Sequence, residues 1–230
     1  FVSLLYGHEQ VRVFLPNGDQ IPRSLFPEVR EVVGRVGWEL PFASRWRLRG
    51  GLVTRVWNAQ GRITDAATLG AAGVGVRLDA LWPVGERALV ADVEANSRFV
   101  RVASGASALV ALGRLKVTPT VRAGWVSADA PLHLRFALGE KDGFAGLRIG
   151  ERLGRSQLYA ATDAAWPLLG PLDLVATLMG GRATDPFLLE GDGGWLVGAR
   201  LGLGAETPIG PIRLQYGWND AGRALWFLRL

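Results

Sequence analysis

Apolar residues recur at every second position along most of this 230-residue chain. That is the side-chain period of a β-strand, whose neighbouring residues point to opposite faces. The clearest case lies near the C-terminus. Trp195, Val197, Ala199, Leu201, Leu203 and Ala205 alternate with Gly198, Arg200, Gly202, Gly204 and Glu206. After the turn Thr207-Pro208-Ile209-Gly210-Pro211, Ile212, Leu214, Tyr216 and Trp218 alternate with Arg213, Gln215 and Gly217. Earlier, Val36, Trp38 and Leu40 alternate with Arg35, Gly37 and Glu39, and Trp46, Leu48 and Leu52 with Arg45, Arg47, Arg49 and Gly51. Similar runs cover 73–80, 89–96, 117–125, 157–166 and 172–179. No segment holds apolar residues at helical spacing between sensible caps. One face bears arginine and glycine, and the other bears aliphatic residues with aromatics at its ends. Strands between a wet lumen and lipid have this pattern.

Composition narrows the chemistry. The chain has no Cys, which excludes disulfides and thiolate metal sites. Its charge of +5 comes from 26 basic and 21 acidic residues. The basic residues are mostly single arginines within strands, which argues against a nucleic-acid tail. No stretch reaches the ~18 uncharged apolar residues of a membrane helix, and there is no basic-then-apolar signal peptide. The chain begins at Phe1 in mid-pattern. It therefore reads as a mature segment or the C-terminal part of something longer.

The connections alternate in length. Short turns fall near 41–44, 83–86, 113–115, 167–171 and 207–211. Longer polar loops fall near 16–30, 58–66, 97–104, 128–155, 181–193 and 218–222. Segment 102–113 has no clear polar face. The fold expected is all-β, a single antiparallel transmembrane β-barrel domain over 1–230 with about twelve strands of roughly ten residues. Trp38, Trp46, Trp82 and Trp166 flank short turns, while Trp57, Trp125, Trp195 and Trp218 lie at long-loop ends. Two such belts are expected at membrane interfaces.

Few motifs suggest chemistry. Gly105-Ala106-Ser107-Ala108-Leu109 lacks the closing glycine and strand-turn-helix setting of a nucleophile elbow, and reads as a small-residue strand or loop. His8 and His133 have no companion ligand pattern, so no metal site is expected. No catalytic constellation and no cofactor site are expected in this chain. The lumen charges expected are Arg45, Arg47, Arg49, Arg55, Arg200 and Arg213, with Asp79, Asp92, Glu94 and Asp163 on the same inner faces. The row Arg45, Arg47, Arg49 and Arg55 has two readings. It is an anion-attracting pore wall, or it pairs with carboxylates of neighbouring strands.

The loop 128–155 carries a more specific pattern. Phe136-x-Leu138-Gly139 precedes Gly143-Phe144, and the closing strands include Thr207-Pro208-x-Gly210-Pro211 and Tyr216-Gly217. This resembles the bacterial surface antigen family, the BamA- and TamA-type outer-membrane assembly and translocation barrels. The likeness is sequence-specific over about 115–230 and architectural before that. Where the family carries a loop arginine, this chain has Asp142. Barrels attached to patatin-like phospholipases resemble the same family, and their loop pattern is close to Gly143-Phe144-x-Gly146 and Glu151-x-x-Gly154.

The resemblance implies a barrel of about sixteen strands, of which this chain would hold the C-terminal part. It implies the bacterial outer membrane, contact with outer-membrane lipid, and work on a client polypeptide in protein insertion or translocation. It further implies that loop 136–146 folds into the lumen, and that the last strand, 222–230, meets the first at a seam that opens. Under the patatin-like alternative the barrel is an anchor or conduit for a catalytic domain upstream. A third reading is a simple anion-attracting pore.

Overall fold

The computed structural model describes residues 2–10, 28–43, 46–60, 67–81, 88–139, 143–185, 194–207 and 210–229. The strands are β1 (Val2–Gln10), β2 (Glu28–Ala43), β3 (Trp46–Gln60), β4 (Ala67–Leu81) and β5 (Ala88–Asn96). They continue as β6 (Val100–Ser107), β7 (Val110–Leu112), β8 (Leu115–Val126) and the short β9 (Phe136–Ala137) and β10 (Leu153–Gly154). The chain closes with β11 (Ser156–Pro167), β12 (Leu172–Thr184), β13 (Leu196–Thr207), β14 (Gly210–Asn219) and β15 (Ala224–Arg229). All but β9 and β10 form one antiparallel sheet in chain order, and β7 pairs only with β8. With β6 and β7 taken as one interrupted strand, the expected architecture holds. Among the described residues β1 and β15 are the two edges of the sheet, and no pairing joins them.

The alternation sets the faces. Val36, Leu52, Val74, Val121, Leu178, Leu201 and Leu228 are exposed on the outer face. Inward, every second residue is glycine, polar or charged, or part of an internal core. Such a wall is stable with its apolar face in hydrocarbon and its polar face on water or packed protein. β2 to β4 run to 15 or 16 residues. That exceeds the roughly 9–11 a tilted strand needs to cross the bilayer, so these strands extend beyond it.

Two expectations change. The loop expected over 97–104 is a tight turn, and strand resumes at Val100. Asn96 makes this turn. Its Oδ1 accepts from the backbone N–H groups of Arg98 and Phe99, each at 2.9 Å, while its own N–H donates to the Phe99 carbonyl at 3.0 Å. This is an Asx turn, which needs no glycine. The unclear segment 102–113 is strand with a break at Ala108 and Leu109. Ser107 pairs with Thr120 and Val110 with Val117, so the break faces Thr118 and Pro119. Ala108 N–H donates to the Pro119 carbonyl at 3.1 Å. Proline has no N–H to return, and the ladder lapses there.

Candidate functional site

The inner wall supports the loop between β8 and β11, which folds back against both halves of the sheet. Its first part packs on the N-terminal half. Ala130 and Phe136 join Val29, Trp57, Ala71, Phe99 and Val126 in one buried cluster. Trp57 and Phe99 meet edge to face with centroids 6.4 Å apart, and His133 lies 6.0 Å from Trp57. Trp57 therefore does not belong to the outer belt. It shares the parity of Arg55, faces inward and is 2% exposed.

Beside this cluster lies a buried charge network. Arg55 makes a bidentate pair with Glu94, Nε to Oε1 at 2.6 Å and Nη2 to Oε2 at 2.7 Å. Its Nη1 reaches Glu31 Oε1 at 2.9 Å, and His133 Nε2 stands 3.6 Å from the same oxygen. The guanidinium thus joins β2, β3 and β5 in the fork geometry suited to arginine. Lower on the same face, Arg49 donates to Glu39 at 2.8 Å and Arg47 lies 3.8 Å from Glu39. Arg45 falls outside the described residues. These contacts place carboxylates beside the arginine row.

The second part of the loop docks on the C-terminal strands. Leu138, Phe144, Ala145 and Leu147 pack with Tyr159, Ala161, Met179, Ala183 and Leu196 into a second buried cluster. Phe144 is fully buried and meets Tyr159 edge to face at 6.4 Å. Wall side chains hold the loop backbone. Arg200 Nη2 donates to the Gly143 carbonyl at 2.5 Å, and Asn219 Nδ2 to the Ala145 carbonyl at 2.9 Å. The Ala145 N–H points at Met179 Sδ, 3.1 Å away. Glu151 forms an ion pair with Arg223 and accepts from the Arg148 N–H at 2.8 Å. Gly146 has φ +71°, and a Cβ there would lie 2.3 Å from the Arg223 carbonyl oxygen. Only glycine fits such a place. Gly139, at φ +78°, packs directly on the Gly143 backbone.

The loop residues singled out from sequence are divided between two places: Phe136 packs in the first cluster, Leu138 and Phe144 in the second, and Gly139, Gly143, Gly146 and Glu151 lie at backbone approaches or ion pairs. Asp142 lies outside the described residues. Arg213 lies on the inner-facing side of β14. Trp38, Trp166, Trp195 and Trp218 are exposed on the outer face and Trp46 is half-buried there, while Trp82 lies outside the described residues. Sequence reasoning missed the wall partners of the loop: Asn219, Met179, Phe227, Arg223 and Glu31, the last 3.6 Å from His133 of the loop. Parity could have flagged Asn219 and Phe227 as inward-facing, but only the folded loop shows what they meet.

The chain matches no family model. It is 30% identical over 139 residues to outer envelope protein 80, chloroplastic, of Arabidopsis thaliana, covering 54% of this chain and 19% of that protein. The fold is similar to the crystal structure of BamA from Haemophilus ducreyi lacking POTRA domains 1–3, with TM-score 0.71, 10% identity, and coverage of 99% of this chain and 58% of that one. It is also similar to CdiB from Acinetobacter baumannii, with TM-score 0.67, 12% identity, and coverage of 88% and 41%. The chain therefore spans only part of each of these relatives. The fold likeness to these two barrels extends over most or nearly all of the chain. The fold is that of an outer-membrane β-barrel.

Proposed function

We propose that this chain is the barrel portion of an outer-membrane protein that inserts outer-membrane proteins or passes polypeptide across the membrane. The observation that carries the reading is the placement of loop residues 136–139 and 143–154. They pack on the inward-facing side chains of the sheet and are held by the strands that lead to the edge β15. An edge strand presents unpaired N–H and C=O groups to an incoming strand, and β15 has an exposed apolar outer face at Trp226 and Leu228 to meet lipid. The partners that follow are outer-membrane lipid and a client polypeptide in extended form. BamA and CdiB have this fold, which supports the reading.

The test is reconstitution of the full-length protein in lipid vesicles, with an unfolded outer-membrane barrel supplied as client. Acceleration of client folding above protein-free vesicles is the expected result. Ion conductance with anion preference and no effect on clients overturns the reading in favour of a pore. Fatty-acid release by the full-length protein without client folding overturns it in favour of a lipase anchor.

A further inference from the structure

We propose that Arg200 is the positioning residue that couples the seating of the loop to the pairing of the terminal strand, so that β15 is braced while the loop is docked and loosened when it leaves. The proposal rests on the function above, in which the β15 edge is the working surface.

Arg200 belongs to β13, two strands from the edge, and is 3% exposed. Its guanidinium makes two contacts that belong to different parts of the fold. Nη2 donates to the Gly143 carbonyl of the loop at 2.5 Å. Cζ lies 4.0 Å from the ring centroid of Phe227 on β15. The intervening strand is cleared for this reach. A Cβ on Gly217 of β14 would lie 3.0 Å from Arg200 Cγ and 2.8 Å from Phe227 Cε2. A Cβ on Gly143 would lie 3.4 Å from Phe227 Cε1. Loop backbone, guanidinium and aromatic ring thus form one close stack over β14. Arginine suits the place because a planar cation can donate along its edge while it stacks on its face.

A second link runs through the turn before β15. Asn219 Oδ1 accepts from the N–H groups of Ala221 at 3.1 Å and Arg223 at 3.2 Å, which closes the β14–β15 turn. The other end of the same amide holds the Ala145 carbonyl, and Arg223 pairs with Glu151 of the loop. Among the described residues β15 has a ladder only to β14, over Arg213 to Trp218. β15 also meets the rest of the fold through Phe227 against Arg200 and through this turn, and both lie against the loop. Withdrawal of the loop removes the carbonyl that accepts from Arg200 and the brace on the turn together. Coupling of this kind is reciprocal, so an incoming strand that displaces β15 also loosens the loop.

The test is hydrogen exchange of the Leu225 to Leu228 amides in the full-length protein in vesicles, for the wild type, Arg200→Lys, Phe227→Leu and the double variant. Lysine keeps the charge and spares the fold but cannot donate and stack at once. Arg98→Gln, at the exposed β5–β6 turn, is the control. The expected result is roughly tenfold faster exchange in β15 for each single variant, no further gain in the double, and no change in the control. Protease cleavage within 143–151 should rise in parallel. Unchanged β15 exchange in Arg200→Lys, or effects that add in the double variant, would overturn the proposal. Client folding measured on the same samples separates the two claims. Faster β15 exchange with client folding unaffected leaves the coupling standing and contradicts the function.

Discussion

Asn219 Nδ2 lies 2.9 Å from the Ala145 carbonyl, while Oδ1 of the same side chain closes the turn into the last strand. One buried amide therefore serves two elements 74 residues apart. The two halves can be separated. Asn219→Asp keeps an acceptor for the turn and loses the donor to the loop. It should leave the β14–β15 hairpin intact and weaken loop docking by about 1–3 kcal/mol. Limited proteolysis of residues 143–151 measures the docking, and hairpin amide exchange measures the turn. Equal loss of both would show that the amide does not divide its roles in this way.

The Arg55 network offers a second prediction. Glu94 is 1% exposed and both its oxygens are taken by Arg55. Arg55→Ala leaves that buried carboxylate without its counter-ion, with the Asn96 amide 3.3 Å from Oε1 still beside it, a loss of about 3–5 kcal/mol. Arg55→Met combined with Glu94→Leu removes both charges and should recover most of it. Urea unfolding of the detergent-folded protein reads the difference. A double variant as unstable as the single would mean that the network contributes more than mutual neutralisation.

Two glycines of similar backbone angle separate conformation from contact. Gly170, at φ +58°, has nothing within 4 Å of a built Cβ, whereas Gly146 would place it against the Arg223 carbonyl. Gly170→Ala should cost about 1–2 kcal/mol through the left-handed backbone alone. Gly146→Ala should in addition unseat the loop from Asn219 and Arg223, seen as cleavage within 143–151 while the barrel stays folded. Equal protease resistance of the two variants would count against the docked loop.

Pro119 gives a prediction of opposite sign. Pro119→Val supplies the N–H missing opposite Ala108 and Leu109 and a good strand former, so it should join β6 and β7 and raise stability by about 1 kcal/mol. Slower exchange of amides 107–110 would report the repair. Unchanged exchange there would place the cause of the break elsewhere.

These cases show which parts of the fold a single sequence reveals. The strands were legible because period two reports on both faces, as Val36, Trp38 and Leu40 against Arg35, Gly37 and Glu39 illustrate. The tight turn at 97–99 was not, because Asn96 closes it with a side chain and without the expected glycine or proline. Trp57 sits near a strand end, where the outer belt is expected, but its parity with Arg55 turns it inward. The loop motif marks residues that pack on two parts of the inner wall, yet the wall partners stay hidden. Arg200 and Gly143 are 57 positions apart, and only the fold sets one over the other.

The most direct measurement places a photo-reactive amino acid at Leu228, on the exposed face of the edge strand, and at Val121, equally lipid-facing in mid-wall. The full-length protein is illuminated in vesicles while an unfolded outer-membrane client is being inserted. The account predicts cross-links to client from Leu228 and only lipid adducts from Val121. Client cross-links of equal yield from both sites, or none from Leu228 during active insertion, would contradict it.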